Sequence, residues 1–362
     1  MDSMYVNHLP AETWNWLKMN GQEVVGVPNL TNAIFNVSKG TDFNITLGQV
    51  TGTDIDARDN NAMRIAAKNG VNITGIGPDM DRLMVNNNIT LNQYEINEKT
   101  KGSLILSWDI VNNSNWASAI EITVKAGCKA YVVEEFESKE DVKAYFAVQT
   151  KFVLEEGASV EFVQLQNLSS NVIFINDVGT MQAKSSIVNM QEVILSAGWT
   201  YLGTRANLIN DFSEFNAEIG YIAENKDKLD MNFVAYQTAP KTNSTINAKG
   251  ILRDEAFKVF RGTIDFVRGC AGSKGQEKED VLLLDDGVIN QTIPLILCDE
   301  EDVEGDHGAT IGQLDEDELF YLESRGIKEE QIYEMLAKAR LNSVISKISN
   351  ETVREKWLAY AE

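Results

Sequence analysis

The chain has 362 residues, 43% of them hydrophobic, which suffices for a substantial core in one large domain or two and makes disorder a poor reading. A formal charge of -22 argues against nucleic acid or an anionic membrane as partner, since both need cationic surface to neutralise phosphate. Cys128, Cys270 and Cys298 are odd in number and far apart, no apolar run reaches the ~18 residues of a membrane span, and Met1 to Asn20 lacks a signal-peptide pattern, so the expectation is a cytoplasmic protein without disulfides.

In chain order, residues 8–20 (HLPAETWNWLKMN) predict a short helix, with Pro10 near its start, Trp14 and Leu17 one turn apart and Gly21 as its stop. Asp56 to Asn69 predicts a second helix with Met63, Ala66 and Ala67 on its apolar face and Gly70 ending it. The rest up to Gln93 is mixed, giving an N-terminal α/β region over residues 1–100. From Ser103 to Cys298 the pattern turns to strands, as in SLILSWDIV, KAYVVEEF and SVEFVQLQN, with Gly, Asn, Ser and Asp between them. A sandwich, a barrel or a solenoid all remain open; local pattern alone favours the sandwich, and no fixed sequence period stands out. After Gly312 helical spacing returns: Leu314 to Arg325, opened by a capping box of Asp315 and Glu318, then Glu329 to Ile348, then Glu351 to Ala361.

Several enzyme signatures are absent. There is no GxxxxGK[ST], no GxGxxG, no HExxH, no GxSxG and no CxxC. Without CxxC, a ferredoxin-like site with four thiolates from one chain is excluded. The densest chemistry lies at Cys298 to Gly312, where His307 sits between Gly305, Gly308 and Gly312 in what reads as a loop, preceded by Asp299, Glu300, Glu301, Asp302, Glu304 and Asp306. The blander readings are a solvated or ion-paired histidine, a solvated acidic loop, and for Cys298, at the end of the apolar run IPLILC, a buried structural thiol. His8 reads as a surface residue.

The stretch HGATIGQLDEDELFYLESRGI closely resembles the C-terminal signature of the SufB/SufD family of iron–sulfur cluster assembly scaffolds, supported upstream by FRGTIDF, GSKGQEKEDVLLLDD and the proline strand at Pro294. The resemblance covers residues 100–362. It is nearer the SufD branch: Glu279 stands where SufB carries a cysteine, Gly308 where SufB carries a glutamate, and Gly305 where many SufD-like sequences carry a cysteine. It implies a mainly β fold, a right-handed parallel β-helix over 101–313, flanked by the N-terminal α/β region and a C-terminal α-helical domain over 314–362. It further implies a transient iron–sulfur cluster shared with a partner subunit, no catalytic residues, and His307 as the leading metal ligand, with Cys298 and Glu304 as weaker candidates. The implied partners are a SufB-like or identical subunit through the β-helix and a SufC-like ABC ATPase through the C-terminal helices. A different class also fits a β-helix rich in Asp and Glu, a carbohydrate-active lyase or hydrolase using paired carboxylates.

Overall fold

Strands of mostly ten residues follow one another from Thr90 to Gly312, and each pairs in parallel with the next strand but one rather than with its neighbour in sequence. The computed structural model describes residues 3–13, 15–314 and 316–361, with the backbone alone for Asn15, Glu316, Glu318, Glu330 and Ala361. Trp14 and the proposed capping box of Asp315 with the Glu318 side chain lie outside the described residues. One sheet takes the strands from Thr90–Ile96 through Asn115–Val124 to Phe257–Phe266 and Ile289–Cys298; the other takes those from Lys101–Ile110 to Ser273–Leu283 and Val303–Gly312. The chain thus makes about eight turns of a parallel β-helix. The fold implied by the resemblance is the one observed, and the sandwich is not.

Parallel coils need no repeated sequence, only side chains that fill the inward positions, most of them apolar. Coil length also varies: Ile173 opposes Trp199, whereas Phe257 opposes Ile289. Inward rings stack from coil to coil, with Trp108 and Phe136 centroids 5.1 Å apart and Phe146 and Phe174 at 5.4 Å. Asn113 and Asn225 take left-handed corners, φ 61° and 55°, but so do Ser185, Phe212, Lys241 and Asp254. Corners stack as the strands do, through bonds such as Ser185 N–H to Asp211 O at 2.9 Å and Lys241 N–H to Ala271 O at 3.0 Å.

The N-terminal region covers the outer face of the first sheet. The described residues of 8–20 are largely irregular, with a 3-10 turn at Asn15–Leu17, because the flanking strands Ser3–Val6 and Gln22–Val25 pair as a hairpin and take Met4, Val6 and Val24 into the contact with helix α2, Pro78–Asn86. The helix expected from Asp56 is α1, Asn60–Lys68, which starts where the Asp59 carboxylate accepts from Ala62 N–H. His8 is buried, not superficial; its Nδ1 lies 3.3 Å from Asn60 Nδ2, and burial lowers its pKa. This contact is unusually polar. Asp230 accepts from Asn7 and Arg261, Arg64 grips Asp265, and Asp177, which burial pushes up to about 7, accepts from Ile76 N–H. Two strands, Asn36–Thr41 and Asn44–Gln49, pair antiparallel with Lys101–Ile110 and Thr90–Ile96 and finish the N-terminal edge of each sheet.

Helices α3 (Glu316–Ser324), α4 (Glu329–Ile345) and α5 (Glu351–Ala361) follow the last strand. Ile345, Ile348, Val353 and Trp357 pack on Val133, Val163, Leu165 and Val193 of the second sheet. Trp357 Nε1 donates to Glu135 at 2.9 Å, so this cover is held by a polar anchor as well as by apolar area.

Candidate functional site

Among the described residues the solenoid has no further coil after Val303–Gly312. The glycines around His307, read as a loop, belong to this last strand, and the histidine lies in register with Glu277 of the coil before it. Glycine is compatible with a strand here because the strand is an edge and Gly305 faces Phe266 and Ile296, where a Cβ would already stand 3.1–3.3 Å from their side chains. On Ser273–Leu283 the buried positions alternate through Ser273, Gly275, Glu277, Glu279 and Val281, with Leu282 buried as well at the strand's end, so parity puts Gly305, His307 and Ala309 on the inward row. His307 is nevertheless exposed, because no described residue covers that row.

The same parity separates the three candidate ligands. Glu304 lies on the outward face, where it accepts from Lys274 at 2.8 Å, and Asp306 accepts there from Gln276 at 3.2 Å. Cys298 ends its strand opposite Phe266 and is exposed, its thiol donating to Glu300 O at 3.0 Å. The expectation of a buried structural thiol there is corrected: the apolar run before it lies on the terminal strand of its sheet, which no next coil seals. The buried thiol is Cys270, pushed up to about 11 by desolvation. Among the described residues no three His, Cys, Asp or Glu side chains converge on one point.

Beneath the last coil lies a polar cluster that sequence reading did not assemble. Lys258 Nζ meets Glu279 Oε1 at 2.5 Å, both side chains sealed from solvent. Tyr221 Oη donates to the same carboxylate at 2.8 Å, reaching across Gly250, where any Cβ would fall 2.0 Å from the phenol ring. Thr292 Oγ1 donates to the other oxygen at 2.6 Å. Burial lowers the Lys258 pKa, and burial with the adjacent Glu279 charge raises that of Tyr221. Two residues away, Glu277 is 1% exposed with neither oxygen hydrogen-bonded among the described residues, and burial followed by the Glu279 charge pushes it up to about 8. An unsatisfied buried polar group of this kind costs about 1–3 kcal/mol. Counting back by two from the apolar Val281 would have found both glutamates inside; the polar outward residues Lys274, Gln276, Lys278 and Asp280 hide that alternation.

Residues 110–340 match the family model described as SUF system FeS cluster assembly, SufBD core domain. The chain belongs to the SufB/SufD family. It is similar to the iron–sulfur cluster assembly protein SufD of Bacillus subtilis, 24% identical over 220 residues that make up 60% of this chain and 50% of that protein. SufBD family proteins of Mycobacterium leprae and Staphylococcus saprophyticus are 24% and 26% identical over 60% and 51% of the chain, covering 57% and 40% of their own lengths. The chain thus spans about half the length of these curated relatives. The match to a SufD agrees with the branch that Glu279 and Gly308 indicated. No helix among the described residues is long and apolar enough to cross a membrane.

Proposed function

We propose that this protein is a non-catalytic scaffold subunit of a Suf-type iron–sulfur cluster assembly complex in the cytoplasm. The reading rests on one observation above others: His307, the signature histidine of the family, stands on the inward row of the uncovered last coil. The edges of Ile289–Cys298 and Val303–Gly312 leave backbone donors and acceptors unpaired, which is the surface a second β-helix would extend, either a SufB-like subunit or an identical copy. A nascent cluster is the cargo at that junction. His307 supplies one ligand, and the partner or a thiol carrier supplies others; Cys298 and Glu304 are secondary candidates. A site that draws few ligands from each chain releases its cargo more readily than a closed four-thiolate site.

Helix α3 carries Phe320 and Tyr321, 72% and 56% exposed, and α4 carries Met335 at 50%. Large apolar side chains left exposed on two consecutive helices of an otherwise acidic chain support docking of a SufC-like ABC ATPase there. The carbohydrate-enzyme reading needs two carboxyls across an open groove; the open cleft lined by Asp54, Asp56 and Asp79 holds carboxyls, but Asp56 and Asp79 are paired with Arg58 and Arg82. The carboxyls that burial perturbs most, at Glu134, Asp177, Glu192 and Glu277, are inside the solenoid or under the N-terminal cover. The test is anaerobic reconstitution with SufB-like and SufC-like partners, read by absorbance and native mass. The scaffold reading expects a complex that retains a cluster, and retains less with His307→Ala; polysaccharide cleavage by the isolated chain, or full loading without the histidine, would overturn it.

A further inference from the structure

The orphaned carboxyl of Glu277 is a feature the scaffold reading does not use. In its own column Glu277 lies between Ile246 and His307, and it packs against Gly262 of the other sheet, whose column neighbours are Phe233 and Pro294. A Cβ on Gly262 would fall 2.7 Å from Glu277 Cγ, so the carboxylate occupies space that only glycine leaves open. Of these surrounding positions His307 alone carries a polar side chain. The neighbouring Glu279 has a lysine, a tyrosine and a threonine on its oxygens, so the same strand shows what a structurally satisfied glutamate looks like. Glu192 is also without a partner among the described residues, but it lies between Gln164 and Ile219 in mid-solenoid, with neither an open end nor an imidazole in register.

We propose that Glu277 and His307 together form a two-residue half-site for a divalent transition-metal ion, entered from the uncovered end of the solenoid. The inference rests on the reading of His307 as a ligand and adds to it the buried carboxylate directly beneath. Adjacent coils stand about 4.8 Å apart, a spacing that an oxygen and a nitrogen ligand at ~2.0–2.2 Å from a common ion can span. A carboxylate with an imidazole suits ions of the iron(II), cobalt(II) and zinc(II) class. Two ligands leave the remaining coordination positions open toward the end of the solenoid, where a partner subunit, a thiol or water completes them.

The test titrates the full-length protein anaerobically with cobalt(II) alone, reading the visible ligand-field bands and competition against a chromophoric chelator. Wild type is expected to bind one ion, and Glu277→Gln and His307→Ala each to weaken binding by about tenfold or more, with altered bands. Glu277→Gln keeps the size of the side chain and removes its charge; Glu277→Asp, which withdraws the carboxylate by one methylene, serves as a second variant should the first not fold. Wild-type affinity and bands in whichever glutamate variant folds, with loss in His307→Ala, overturn the role of Glu277 and leave the histidine reading standing. Wild-type binding in both the glutamate and histidine variants overturns both, and absence of a bound cobalt(II) in wild type overturns the half-site.

Discussion

Lys258 and Glu279, on strands of opposite sheets, meet 2.5 Å apart at a point fully sealed from solvent. Two charges there are tolerable only because each neutralises the other and Tyr221 and Thr292 take up further lone pairs. Removing one partner leaves the other charge buried alone. Lys258→Met is therefore expected to destabilise the protein by about 3–5 kcal/mol, while the double variant Lys258→Met with Glu279→Leu recovers most of that loss. Denaturant unfolding of the two variants checks this; equal destabilisation in both would show that packing, not charge, governs the site.

The buried carboxyls set the pH dependence of stability. Burial raises Glu134 from 4.5 to about 7, Asp177 from 3.8 to about 7 and Glu277 from 4.5 to about 8. Between the unfolded and folded values the native state holds more protons than the unfolded one, so stability is full below the unfolded values and is lost as pH rises through the folded ones. Each raised unit corresponds to about 1.4 kcal/mol. Unfolding free energies measured from pH 5 to pH 8 should fall with pH, and Glu134→Gln should flatten part of the slope. A rising profile would mean that these groups are solvated in the native state.

The C-terminal helices present two faces with different consequences. Trp357 is fully buried against the second sheet and donates to Glu135, so Trp357→Ala should cost about 3–5 kcal/mol. Phe320→Ala combined with Tyr321→Ala touches only an exposed face and should leave the melting curve within about 0.5 kcal/mol of wild type. If α3 docks the ATPase, the same double variant should weaken that association in a pull-down or calorimetric titration; unchanged binding would move the docking surface elsewhere.

Gly203 and Gly75 hold the N-terminal region against the first sheet at backbone contact. A Cβ on Gly203 would lie 2.5 Å from Gly75 C and Ile76 N, and one on Gly75 only 2.1 Å from Gly203 C. Gly203→Ala is expected to cost at least about 1–3 kcal/mol and to make the N-terminal region an early site of proteolysis. A cleavage pattern like that of wild type would show that the contact relaxes without cost.

Much of this protein is legible locally. Runs of strand-forming residues between turn residues located most of the strands from Ser103 to Cys298, helical spacing located α4 and α5, and the signature around His307 located the family, because each depends on neighbours within one or two turns of chain. Pairing is different in kind. Which strand lies on which is decided some thirty residues away, through corners of unequal length, so no sequence period exposed the solenoid. Burial at its ends follows from that pairing alone: IPLILC looks like core, yet Cys298 is exposed because its sheet stops there, and KGQEKED looks like surface, yet Glu277 and Glu279 are enclosed because a coil stacks on either side of them. Local pattern gave most of the strands between Ser103 and Cys298, the helices α1, α4 and α5 and the identity of His307; the stacking of coils, a contact between distant residues, decided that the His307 segment is a strand, which side chains water reaches and which carboxyl lies beneath the histidine.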